Sequence, residues 1–105
     1  MDILGINLEL KKVTDKELRF IIYDEDRHSL PNLLAKLALR KAGVVYAAYI
    51  LEHPMVSYPE VVIRTDGSIH PLKVLSEVVE EAKKLVEEFL EKFNEALSSA
   101  SKERI

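Results

Sequence analysis

Cysteine is absent from this 105-residue chain. Without thiols there is no disulfide framework and no thiolate zinc site, a composition that fits a reducing interior. No apolar run approaches the roughly 20 residues needed to span a bilayer, so no membrane association is expected. The start, Met1 and Asp2, has no basic stretch ahead of its apolar residues. A secretory leader is therefore not expected, and a cytoplasmic chain is. Positive charge is also short. Fifteen Lys and Arg stand against 18 Asp and Glu, a formal net charge of −3. A stand-alone nucleic-acid binder needs a basic surface to displace counterions from phosphates, so direct contact with DNA or RNA is not expected. Internal repeats and low-complexity segments are missing too.

What is present describes one globular domain. Hydrophobic residues make up 48% and charged residues 31%. A chain of this size buries roughly 65% of its unfolded surface, enough for a core without staples. From Ile6 to Leu10 apolar and polar residues alternate, with Ile6, Leu8 and Leu10 on one face: a half-buried strand. Thr14, Asp15 and Lys16 supply a turn, and Leu18, Phe20 and Ile22 repeat the alternation, so the two strands read as a hairpin. A charged loop, Asp24 to His28, follows. Ser29 is placed to cap a helix, Pro31 is tolerated in its first turn, and Leu30, Leu33, Leu34, Leu37 and Ala38 recur at helical spacing. Gly43 suits the C′ position of that helix. Val44 to Leu51 is apolar on both faces, as for a strand that is central or covered by a partner. His53, Pro54 and Pro59 bracket a connection to a fourth strand, Val61 to Thr65, and Asp66-Gly67 signals a turn.

The last element says most. Pro71 suits a first helical position, with His70 as a modest cap. Leu75, Val79, Ala82, Val86, Phe89 and Phe93 follow at steps of four and three, and Val78, Leu85, Leu90 and Leu97 run beside them. A helix from Pro71 to Leu97 measures about 40 Å at ~1.5 Å per residue. Strands of ordinary length extend only ~17–20 Å. Val86, Phe89, Leu90, Phe93 and Leu97 should therefore overhang the sheet, and large apolar side chains left in water mark a partner site. The opposite face is charged, and pairs such as Glu80–Lys84 and Glu88–Lys92 have the favourable orientation, worth about 0.2–0.5 kcal/mol each. Residues 1–97 form the expected domain and 98–105 an expected frayed tail.

The order strand–strand–helix–strand–strand–helix indicates a two-layer α+β domain. Three stretches carry a resemblance to the archaeal RNA polymerase L subunit family and its eukaryotic counterparts. They are Glu25-Asp26-Arg27-His28-Ser29-Leu30-Pro31-Asn32-Leu33-Leu34, then Val45-Tyr46-Ala47-Ala48-Tyr49 with His53-Pro54, then Ile63-Arg64-Thr65-Asp66-Gly67-Ser68 with Pro71. All three occur in order, covering nearly the whole chain. Pro31 departs from the family's usual Gly, and Arg27 is inserted ahead of His28. The resemblance implies a mainly antiparallel four-stranded sheet with both helices on one face. It further implies a non-catalytic chain that heterodimerises with an alpha-like D subunit, the platform on which the large catalytic subunits assemble. The signature residues it assigns are His28, Ser29, Leu30, Asn32, Leu33, Leu34 and Leu37. In isolation such a chain can self-pair artificially.

The remaining chemistry-bearing residues have simpler readings. His28, His53 and His70 lack metal-motif spacing and read as loop or capping residues, so no metal or cofactor is expected. Asp24, Glu25 and Asp26 read as an acidic surface loop rather than a magnesium site. Asn32 either faces solvent or bonds its own loop or a partner. Lys36, Arg40 and Lys41 form a basic flank suited to neutralising acidic neighbours. The alternative function weighed is a small homodimeric enzyme of the pterin-dehydratase type, which requires histidines sharing a pocket.

Overall fold

A computed structural model describes residues 2–3, 6–24, 27–52 and 57–103. His53 and Pro54, Glu25 and Asp26, and Arg104 lie outside the described residues. The elements in order are β1 (Asp2–Ile3), β2 (Ile6–Val13), β3 (Glu17–Tyr23), α1 (Ser29–Leu39), β4 (Val44–Ile50), β5 (Glu60–Thr65) and α2 (Pro71–Glu103). They form one antiparallel sheet in the order β1-β2-β3-β5-β4. The expected four strands and two helices are all there. A two-residue strand, too short to show any periodicity, is added at the edge.

The hairpin is built by its turn. The Thr14 backbone N–H donates to the Glu17 carbonyl at 2.8 Å, and the Glu17 N–H donates to the Thr14 hydroxyl at 2.9 Å. Alternation then places Leu18, Phe20 and Ile22 of β3 opposite Val13, Leu10 and Leu8 of β2, all on one face. Val61 and Ile63 of β5 and Ala47 of β4 join them. α1 lays Leu34, Ala35, Leu37 and Ala38 on this surface, and α2 lays Val74, Leu75, Val78 and Ala82 beside them. Leu18, Phe20, Ile22, Val61, Ile63, Val74 and Val78 are fully buried. Each such side chain contributes about 1.5–3 kcal/mol relative to leaving it in water.

β4 is an edge strand, one of the two placements its apolar faces allowed, and its outer residues Tyr46 and Ile50 are exposed. A bulge between Val44 and Tyr46 kinks this edge, a device that discourages unwanted strand pairing. The N-cap of α1 is His28 rather than Ser29, with no side-chain cap hydrogen bond. α1 ends at Leu39 with Arg40 as its C-cap, so Gly43 is not the C′ residue. Gly43 nevertheless needs its glycine, because its φ is +90° and a Cβ there would meet the Ser68 hydroxyl at 2.5 Å. The bend it makes lets its carbonyl accept from the Asp66 N–H at 2.9 Å, tying the start of β4 to the end of β5. At the other end of the chain α2 runs to Glu103, six residues beyond Leu97, where only frayed tail was expected. No Gly or Pro interrupts Ser98 to Glu103, so nothing local stops the helix.

Candidate interaction surface

α2 begins where the sequence reading put it. Pro71 is buried at the first position, where no intrahelical N–H is needed. His70 caps the first turn: its Nδ1 accepts from the Leu72 N–H at 3.1 Å. Its Nε2 lies 4.0 Å from Asp15 Oδ1. Inward-facing residues of α2 are buried as far as Ala82, and from Lys83 onward the described side chains are exposed. With 33 residues the helix is about 50 Å long, and the molecule measures 58 Å on its long axis against 34 and 20 Å on the others. α2 accordingly projects from the domain by roughly 30 Å past Ala82, at ~1.5 Å per residue.

The projecting part does not change character where it leaves the domain. Leu85, Val86, Phe89, Leu90, Phe93 and Leu97 continue the same stripe that Leu75, Val78 and Ala82 bury in the core, and they are 46–66% exposed. The rings of Phe89 and Phe93 lie 6.1 Å apart and nearly parallel, giving the stripe a flat aromatic step. Six large apolar side chains in one row exceed the scattered exposure that a soluble surface normally carries.

The signature residues fall into two groups. Leu34 and Leu37 are buried in the chain's own core, with Leu30 and Leu33 packed partly against it. His28, Ser29 and Asn32 are exposed at the N-terminal end of α1. The Nδ1 of His28 lies 3.2 Å from the Tyr49 hydroxyl, and the two rings meet edge to face. The stripe and this corner belong to different helices. Sequence reasoning missed the exposure of Leu39, at the end of α1. It lies off the repeat of Leu34, Leu37 and Ala38, and that displacement was the available signal.

Charge around the helices is organised. Lys41, just past α1, forms an ion pair with Glu81 and lies 3.9 Å from Glu77, so this member of the basic flank, expected to meet acidic neighbours in an assembly, meets this chain's own α2. Neither Glu80–Lys84 nor Glu88–Lys92 closes within 4.0 Å. The face of the sheet away from the helices mixes apolar side chains with charge. There Glu17 accepts from Arg64 Nε at 2.7 Å, pairs with Lys12 at 2.5 Å and lies 3.5 Å from Arg19. Lys12 first, then Arg64, hold its carboxyl at about 2. Tyr23 donates to Glu9, which lowers the carboxyl and raises the phenol.

Catalytic or metal-binding geometry would need a different arrangement. Among the described residues no group of three or more His, Cys, Asp or Glu is placed to hold a metal ion. A cavity of about 350 Å³ on the outer sheet face is lined by Ile21, Tyr23, Ile50, Glu52, Ser57, Tyr58 and Glu60. None of these is a histidine, so this cavity does not supply the shared histidine pocket of the enzyme alternative. No described helix is long and apolar enough to cross a membrane.

The chain is similar to known proteins over most of its length. The profile of the RNA polymerase Rpb3/Rpb11 dimerisation domain matches residues 17–92. DNA-directed RNA polymerase subunit Rpo11 of Metallosphaera sedula is 32% identical over 90 residues, covering 86% of this chain and 99% of that protein. The Rpo11 subunit of Methanocaldococcus jannaschii is 31% identical over 98 residues, covering 86% and 98%. In fold, the crystal structure of DNA-directed RNA polymerase subunit L from Thermoplasma acidophilum superposes with a TM-score of 0.70. It is 21% identical and covers 86% of this chain and 87% of that one.

Proposed function

The chain belongs to the Rpb3/Rpb11 dimerisation-domain family of RNA polymerase subunits, and from that membership we propose that it is an assembly subunit that pairs with an alpha-like D subunit. The observation that carries this reading is the stripe Leu85, Val86, Phe89, Leu90, Phe93 and Leu97, held off the domain on the projecting part of α2. The stripe needs a cover about 20 Å long, from Leu85 to Leu97 at ~1.5 Å per residue. A single helix of a partner provides that cover, and the alpha-like subunit of the same enzyme is the partner that family membership suggests.

In this role the chain performs no chemistry. It contributes surface: the pair it forms is the platform for the catalytic large subunits, and DNA is held by those subunits rather than by this acidic chain. His28, Ser29 and Asn32 then serve the corner where α1 meets the partner, and the cytoplasm is the compartment that such a role requires. The pterin-dehydratase reading gains no support from the relatives or from the cavity described above.

The test is to tag the chain in its native host, purify it at moderate salt and identify stoichiometric companions by mass spectrometry. A D-like subunit together with the large polymerase subunits is expected. Recovery of this chain alone, as monomer or homodimer, would overturn the reading. Phe93→Glu places a charge at the centre of the stripe, which costs several kcal/mol once buried without a counter-ion. The variant should fold as before, since Phe93 is 51% exposed in the free chain, and should lose its companions.

A further inference from the structure

Glu77, Glu81, Glu88 and Glu95 follow one another along α2 at steps of four, seven and seven residues. Those steps return each carboxylate to one side of the helix, along one border of the apolar stripe. Over the domain this border is answered. Lys41, carried by the end of α1, reaches both Glu77 and Glu81, so the contact of one helix with the other is basic against acidic. α1 has no acidic residue at all; Lys36 lies within it and Arg40 at its cap. Past Ala82 the border continues with Glu88 and Glu95, and neither has an ion-pair partner within 4.0 Å among the described residues. Lys92 stands between them, exposed, and closes with neither. The other border of the stripe runs through Lys83, Glu87 and Asn94 and shows no such row.

From this we infer that the element the partner lays on Leu85 to Leu97 is a helix with Lys or Arg at roughly one-heptad spacing on one flank. It docks against Glu88 and Glu95 as Lys41 docks against Glu77 and Glu81. The inference rests on the pairing reading above and adds to it the chemistry and orientation of the partner. The stripe itself is nearly symmetric about its length, so apolar contact alone does not decide which way round a partner helix lies or which neighbour it accepts. Two carboxylates along one border of the stripe against one along the other do bias it, through steering and repulsion of wrong arrangements more than through affinity.

The test measures the dissociation constant of the full chain with the full-length alpha-like subunit of the same polymerase, at low and high salt. Glu88→Lys combined with Glu95→Lys should weaken binding about tenfold at low salt and much less at high salt, where exposed charges are screened. Glu88→Gln with Glu95→Gln should fall between. Both residues are exposed, so circular dichroism should show an unchanged fold. Phe93→Glu, measured alongside, should remove binding at either salt. If the double reversal binds as well as the parent at low salt, or better, while Phe93→Glu still abolishes binding, the partner is not basic there and the inference falls with the stripe intact. If Phe93→Glu also binds normally, the stripe reading itself falls and takes the inference with it.

Discussion

Glu17 sits at the start of β3 between cations from two other strands, Lys12 of β2 and Arg64 of β5, and its side chain is only 12% exposed. Its folded carboxyl at about 2 lies below the ~4.3 of an unfolded glutamate. A depressed folded value means stability that is fully present above the unfolded value and is lost as the pH falls toward the folded one. Glu17→Gln should therefore lower the melting temperature at neutral pH. The gap from the parent should close between about pH 4.3 and about pH 2, which circular dichroism melts across that range would show. Gly43 makes a different demand. Its backbone at φ +90° disfavours any side chain, and the space for a Cβ is already held by Ser68 and Ile69. Gly43→Ala is expected to cost about 1–3 kcal/mol in a urea titration, more than its surface position suggests. The positive φ could be suspected from a glycine between helix and strand. The close approach of the 66–69 turn could not, because it depends on how β4 and β5 pair.

Among the elements, α2 was the most legible and β4 the least. Steps of three and four residues define a helix and its face without reference to anything else, and the buried stretch from Val74 to Ala82 followed that pattern. Only the stop was misjudged, since Ser98 to Glu103 is polar but contains no residue that breaks a helix. β4 reads alike whether it lies between two strands or at a sheet edge awaiting cover, because both leave it without a polar face. Its position came from the pairing of β3 with β5, a long-range register that local pattern does not encode. The choice of His28 over Ser29 as N-cap is a shift of one residue, within the usual uncertainty of helix ends. α2 also divides energetically at Ala82. Beyond it no tertiary packing supports the helix, and an unsupported helix in water is marginal. Backbone amides after Lys84 should exchange with deuterium much faster than those of Val74 to Ala82 in the free chain, and become protected when the partner is added. Equal protection of both halves in the free chain would mean that the stripe is already covered.

For the whole molecule, the layers, the helix positions and the projecting stripe were all foreseeable, and the resemblance in the three signature stretches indicated the family. The candidate site was legible where it depended on helical periodicity and illegible where it depended on distance: Lys41 meeting Glu77 and Glu81 joins residues some forty positions apart. Leu34 and Leu37, named with the interface, lie in the chain's own core. An apolar stripe carried on a helix clear of its domain has a further property. While unpaired, it offers proteases a helix end without tertiary support and offers chaperones a hydrophobic handle. Pairing hides both. On the pairing proposed above, copies made in excess of the partner would be the first cleared.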